Sequence, residues 1–273
     1  MAASFPNSER IMLARTGILL YGAVAYLLAL ANIAYLIGFI ADRGVPKGIN
    51  DGPEGPLWLA LGVDAGLIAL FGLHHSITAR RRFKAWWTRI VPPSMERATY
   101  LYMTAVTTAL LVLFWRPIPV TLWEVEGGVA GAAIAAAYLG VFGMMFLATF
   151  HFGHLEFFGL RQAYDRFQGR VGRGTGFAAR WLYAVVRHPI GLGWMVAPWL
   201  TPHMTAGQLV FALGTASYVL AATPHEEADL VAELGDDYRR YRQRVPAFVP
   251  GRVPAAGRSA TDDISSQPQE ING

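Results

Sequence analysis

Side chains able to move a proton or hold an anion fall in four short clusters: His74-His75-Ser76; His151, His154, Glu156 and Arg161; Arg187-His188-Pro189; and His225-Glu226-Glu227. An imidazole can take a proton from a weak acid, and a guanidinium can favour the anion that remains. On one continuous helix His154 and Arg161 would share a face, and His151 and His154 would be neighbours. Two imidazoles at that spacing could share a metal, but no clear third ligand accompanies them, so no metal is expected. Pro189 either breaks a preceding helix or opens the next. Glu226 and Glu227 follow Pro224 and read as a first helical turn, where the helix dipole favours carboxylates. Blander roles compete with each reading: topology-setting arginines, an interfacial histidine, ordinary helix caps. The chain has no cysteine, which excludes a thiolate nucleophile, a thiolate metal site and a disulfide framework.

The elements that must position these clusters are apolar spans. Of 273 residues, 53% are hydrophobic and 15% charged, where a soluble globule is about a quarter charged. The expected fold is all-α: a polytopic membrane bundle of five to six spans with a C-terminal amphipathic helix. The spans read as Met12–Ala41, Leu57–Leu73 continuing toward Ala79, Ala98–Phe114, Val129 to about Leu160, a short Ile190–Trp199, and Ala206–Ala222. The fifth is too short to cross a bilayer alone, and a re-entrant segment is its alternative. Charged spacing over Glu226–Arg242 predicts the amphipathic helix. Residues 1–250 read as one membrane domain and 251–273 as a disordered tail. The glycines of Gly169–Gly176 suggest a turn rather than a phosphate loop.

Arginine distribution sets the orientation. Arg80 to Arg97, Arg161 to Arg187 and Arg239 to Arg244 fall in alternate inter-span segments and the tail, which puts them and both termini in the cytoplasm. All four clusters then share that side. Trp86 and Trp87 would mark the inner interface, Trp115 and Trp199 the outer one. The net charge of +4 fits anionic lipid headgroups better than nucleic acid.

Two blocks carry a resemblance. Arg187-His188-Pro189 with Gly193, then Glu226-Glu227 with Leu230, Gly235, Tyr238, Tyr241, Val245, Pro246 and Pro250, resembles the isoprenylcysteine carboxyl methyltransferase superfamily of integral-membrane enzymes. Upstream, His75-Ser76 with Ala79, Arg80, Phe83 and Lys84, then His154 through Gln162, then Trp199 through Thr205, resembles the bacterial methanethiol S-methyltransferase family. The resemblance covers about residues 10 to 250. It implies S-adenosylmethionine as cofactor and a small volatile thiol, methanethiol, as acceptor, with dimethyl sulfide as product. Prenylcysteine carboxylate, a lipid amine or a non-catalytic relative are the alternatives. It implies cofactor contacts from Arg187, His188, Pro189, Gly193, Glu226, Glu227, Leu230, Tyr238 and Tyr241, within a cofactor half at about residues 181–250. The acceptor side would use His154, His75 and Arg161, with the base among them open. Gly191 and Ala228 depart from the family pattern, where a large and a basic residue are common.

Overall fold

Five apolar runs fold into helices long enough to cross a bilayer: α1 (Asn7–Ala41), α2 (Leu57–Ala79), α4 (Pro93–Phe114), α5 (Val129–Thr149) and α10 (Ala206–Leu234). The computed structural model describes residues 7–170 and 179–251. Short helices connect the long ones at the arginine-rich end: α3 (Arg81–Trp87), α6 (His154–Phe157), α7 (Leu160–Phe167) and α8 (Leu182–Val185). α9 (Pro189–Val196) and α11 (Asp236–Arg244) complete the set. Proline at the first helical position opens α4 and α9, where its missing N–H costs nothing. Thr205 caps α10, its hydroxyl accepting from the Gln208 amide at 3.2 Å.

At the opposite end, strand β1 (Thr121–Glu124) pairs antiparallel with β2 (His203–Thr205). This ladder ties the α4–α5 link to the start of α10. It was not expected from the sequence, which reads Thr201–Thr205 only as a turn. Beneath it Phe39, Trp115 and Phe211 pack edge to face, with centroids 5.6 to 6.2 Å apart. Trp115 is thus fully buried in the core rather than at an interface. Trp86 and Trp199 are exposed.

The short fifth segment runs from end to end. His188 lies against Glu227, twenty-one residues into α10, whereas His203–Thr205 lies at the start of α10. Those points are about 32 Å apart along that helix. Part of the path is non-helical chain, so the segment crosses the bundle without being a membrane-length helix.

Three expectations need correction. The fourth span stops at Thr149. A 3₁₀ turn follows, and Gly153 and Gly159, at φ +82 and +79, separate α6 and α7 from it. Left-handed backbone suits glycine because no Cβ meets the carbonyl. His154 and Arg161 therefore share no helix face. Pro224 lies inside α10, so Glu226 and Glu227 are not in a first turn. The amphipathic helix divides at Gly235 into the end of α10 and α11. The expected tail from 252 and most of the glycine-rich stretch lie outside the described residues.

Candidate active site

The arginine-rich end holds two neighbouring groups, one charged and one around a chamber. Glu227 organises the first. Arg187 Nε donates to its Oε1 at 2.7 Å, Arg242 Nε forms an ion pair with its Oε2 at 3.1 Å, and His188 Nε2 lies 3.0 Å from Oε1. A carboxylate only accepts, so the His188 proton sits on Nε2. Arg187 also donates from Nη1 to the carbonyls of Arg242 and Val245. The backbone amides of Arg187 and His188 donate to Pro246 and Ala247 at 2.8 and 3.1 Å. The C-terminal strap is thereby sewn onto the α8–α9 link. Glu227 is 6% exposed and its oxygens are taken; Glu226 beside it is 57% exposed, 3.8 Å from His188 Nδ1.

Leu230, Val231, Leu234, Tyr238, Tyr241 and Val245 pack as a small apolar cluster around this clamp. The Tyr241 hydroxyl donates to the Tyr183 carbonyl at 2.6 Å, and burial pushes its pKa up to about 12, so it stays a donor. Pro189 is buried at the start of α9. Gly193 lets Met145 sit where a Cβ would be, drawing α9 against α5. Of the positions implied as cofactor contacts, the structure brings Arg187, His188, Glu226 and Glu227 together. It packs Leu230, Tyr238 and Tyr241 with one another.

The second group surrounds a chamber of about 620 Å³ between α1, α2, α4, α5, α9 and α10. Its lining is largely apolar and aromatic, with His75, Arg97, Tyr100 and Tyr218 at the arginine-rich end. Ile190 and Val219 line it too, and Val219 packs over Gly191, next to His188. Chamber and clamp are therefore contiguous. His75 stacks on Phe71 at 5.4 Å, and the Tyr100 hydroxyl is 2.8 Å from its ring nitrogens. Arg97 donates from Nε to the Phe157 carbonyl at 2.9 Å and lies over the Tyr100 and Phe157 rings. Among the described residues no carboxylate pairs with Arg97 within ion-pair distance.

Neither His154 nor Arg161 lines that chamber. The Thr149 hydroxyl donates to the Phe146 carbonyl at 2.7 Å, so it accepts from His154 Nδ1, also at 2.7 Å. His154 Nε2 must then accept from the Tyr26 hydroxyl at 2.9 Å. Both ring nitrogens are used, and burial lowers the imidazole pKa. His154 is a neutral strut joining α1, α5 and α6. Arg161 is 61% exposed and pairs with Asp165 one turn on. His151 stacks on Tyr183 at 4.5 Å.

Sequence reading missed Arg97 and Tyr100, having counted Arg97 only as a topology charge. Their three-residue spacing on α4, in register with His75 across the α2–α4 hairpin, was the available signal.

Neither a family model nor a solved structure matches the chain. Curated proteins do. A methanethiol S-methyltransferase from a Pseudomonas species is 46% identical over 242 residues, covering 88% of this chain and 92% of that protein. The methanethiol S-methyltransferase of Mycobacterium tuberculosis is 43% identical over 232 residues, covering 85% and 95%. Human nurim is 28% identical over 78% of this chain. Identity at this level, over nearly the full length of both chains, places this integral-membrane protein in the bacterial methanethiol S-methyltransferase family.

Proposed function

We propose that this chain transfers a methyl group from S-adenosylmethionine to methanethiol, giving dimethyl sulfide. The observation that carries it is the adjacency of an aromatic chamber, polar at one end, to the Arg187–His188–Glu226–Glu227 cluster. Bound S-adenosylmethionine would supply a methyl carbon activated by its sulfonium.

The residues fit such a group. Its volume lies within the roughly 300–1,000 Å³ of sites that bury small molecules and far exceeds what methanethiol alone needs. Aromatic faces at the chamber's polar end, Tyr100 and Tyr218, attract a cation. Exposed Glu226 is available to an amine or a ribose. Glu227, already held by two arginines and a histidine, acts by fixing Arg187 and His188 in place.

On the acceptor side, the thiol proton passes by way of the Tyr100 hydroxyl to His75, and Arg97 holds the resulting anion. An alkanethiol is mostly protonated near neutral pH, so this pair raises the reactive fraction. The apolar wall excludes water, which strengthens the Arg97 interaction. Alignment of donor and acceptor at about 3–3.5 Å supplies the rest. The arginine-rich end faces the cytoplasm in this reading, supported by the charge asymmetry of the connections.

The test uses purified protein in lipid vesicles with methyl-labelled S-adenosylmethionine and methanethiol. Labelled dimethyl sulfide is expected. Donor binding without labelled product contradicts the assignment of the acceptor.

A further inference from the structure

The chamber is longer than its proposed acceptor requires. Along α4 its wall runs from Arg97 through Tyr100, Thr104 and Thr108 to Leu111, about 21 Å of helix. Polar groups that could hold sulfur stand at one end. Past Thr108 the wall is Leu36, Leu111 and Phe211.

The chamber also opens sideways. Leu139, Gly143 and Phe146 line it and are also exposed, which places a mouth along this side of α5. They recur at helical spacing on one face of α5. α5 packs along α9, while α1 packs along α4 and α7, so α1 and α5 leave a slot between them. Two struts frame the slot. Tyr138 donates to the Ile37 carbonyl at 2.6 Å near the ladder end, and Tyr26 reaches His154 at the other. α1 and α5 are both membrane-length, so the slot looks onto hydrocarbon.

We propose that the enzyme also S-methylates longer straight-chain alkanethiols, with the sulfur at His75 and Arg97 and the alkyl chain in the limb between α1, α4 and α5. This rests on the reaction proposed above. The thiol S–H bond breaks and its proton passes to His75. The sulfur's lone pair forms the new S–C bond. The sulfonium donor's C–S bond breaks, and its electron pair stays on the donor's sulfur. The products are an alkyl methyl sulfide, the neutral thioether of the donor and one proton. Each added methylene strengthens transfer from water by about fourfold until the limb is filled.

The experiment compares methanethiol, ethanethiol, butanethiol and hexanethiol on the full chain in vesicles with labelled S-adenosylmethionine. A Cβ at Gly143 meets no atom within 4 Å, so a side chain can start there without a backbone clash, and Gly143→Phe adds a ring at the limb. The ratio of wild type to variant at each chain length cancels partitioning of the thiol into lipid. Wild type is expected to methylate hexanethiol. Gly143→Phe should keep methanethiol turnover and lose about tenfold or more on hexanethiol, as a misfit of a methylene or more costs. Leu139→Ala should shift preference toward longer chains. Donor-free protein is read separately: hexanethiol should raise the unfolding temperature of wild type more than that of Gly143→Phe. Methanethiol turnover without butanethiol or hexanethiol turnover overturns the proposal and leaves the methanethiol reaction standing, as does an equal loss on every thiol in Gly143→Phe. If no thiol turns over, the reaction itself fails, and an absent hexanethiol shift then overturns the limb as well.

Discussion

Adjacent carboxylates in α10 have different work because one is enclosed and the other is not. Glu227 holds Arg187, His188 and Arg242. Glu227→Gln should leave two guanidiniums short of a partner and cost about 3–5 kcal/mol of stability, as loss of one member of a buried pair does. Glu226→Gln should leave the unfolding temperature nearly unchanged and raise the KM for S-adenosylmethionine. Thermal unfolding and donor titration of both variants check this contrast; equal destabilisation by the two contradicts it. Arg97→Gln should move the acid limb of the kcat profile to higher pH, because the bound thiolate loses its counter-charge, and Arg97→Lys should restore part of it. A uniform loss at every pH would mean Arg97 only holds Phe157. His154 gives a stability effect. Its folded-state pKa lies below its unfolded one through burial, so the unfolded chain binds the proton more readily. Stability should be complete above about pH 6.5 and fall as the pH drops below it. His154→Gln should flatten that acid slope in unfolding measurements.

The long helices were legible from apolar runs because length and composition alone decide them in a membrane. What periodicity could not show was where such a run is cut. Gly153 and Gly159 sit in a stretch that stays apolar and aromatic, so hydropathy continues across a break that backbone sign enforces. Pro224 misled in the opposite direction. It reads as a helix start, but α10 carries it internally. Both errors moved chemistry: the first put Arg161 beside His154, the second put Glu226 and Glu227 at a helix dipole. The clusters at Arg187-His188 and Glu226-Glu227 were readable because their residue types are costly near a membrane. Arg97 was not, since its value comes from the chamber it lines. Gly159 also makes room for Arg97, whose Cβ and Cγ lie 2.7 Å from where a Cβ on Gly159 would be. Gly159→Ala should cost about 1–3 kcal/mol from the positive φ and lower kcat by displacing Arg97. Normal kcat in that variant contradicts the link between the α6–α7 turn and the site.

Across the whole molecule, most arginines and the candidate site lie at one end and a short strand ladder closes the other. Orientation can be read directly because the chain has no cysteine. A single cysteine at Arg82 should react with an impermeant maleimide only in inside-out vesicles, and one at Glu126 only in right-side-out ones. The reverse pattern would put the site outside. The most direct measurement is a structure of the chain with the demethylated cofactor, S-adenosylhomocysteine. The expected result places its sulfur at the chamber end bounded by His75 and Arg97, its amine at Glu226, and leaves the Arg187–Glu227 pair intact. A ligand that displaces Arg187 from Glu227, or binds at the strand-ladder end, would contradict it.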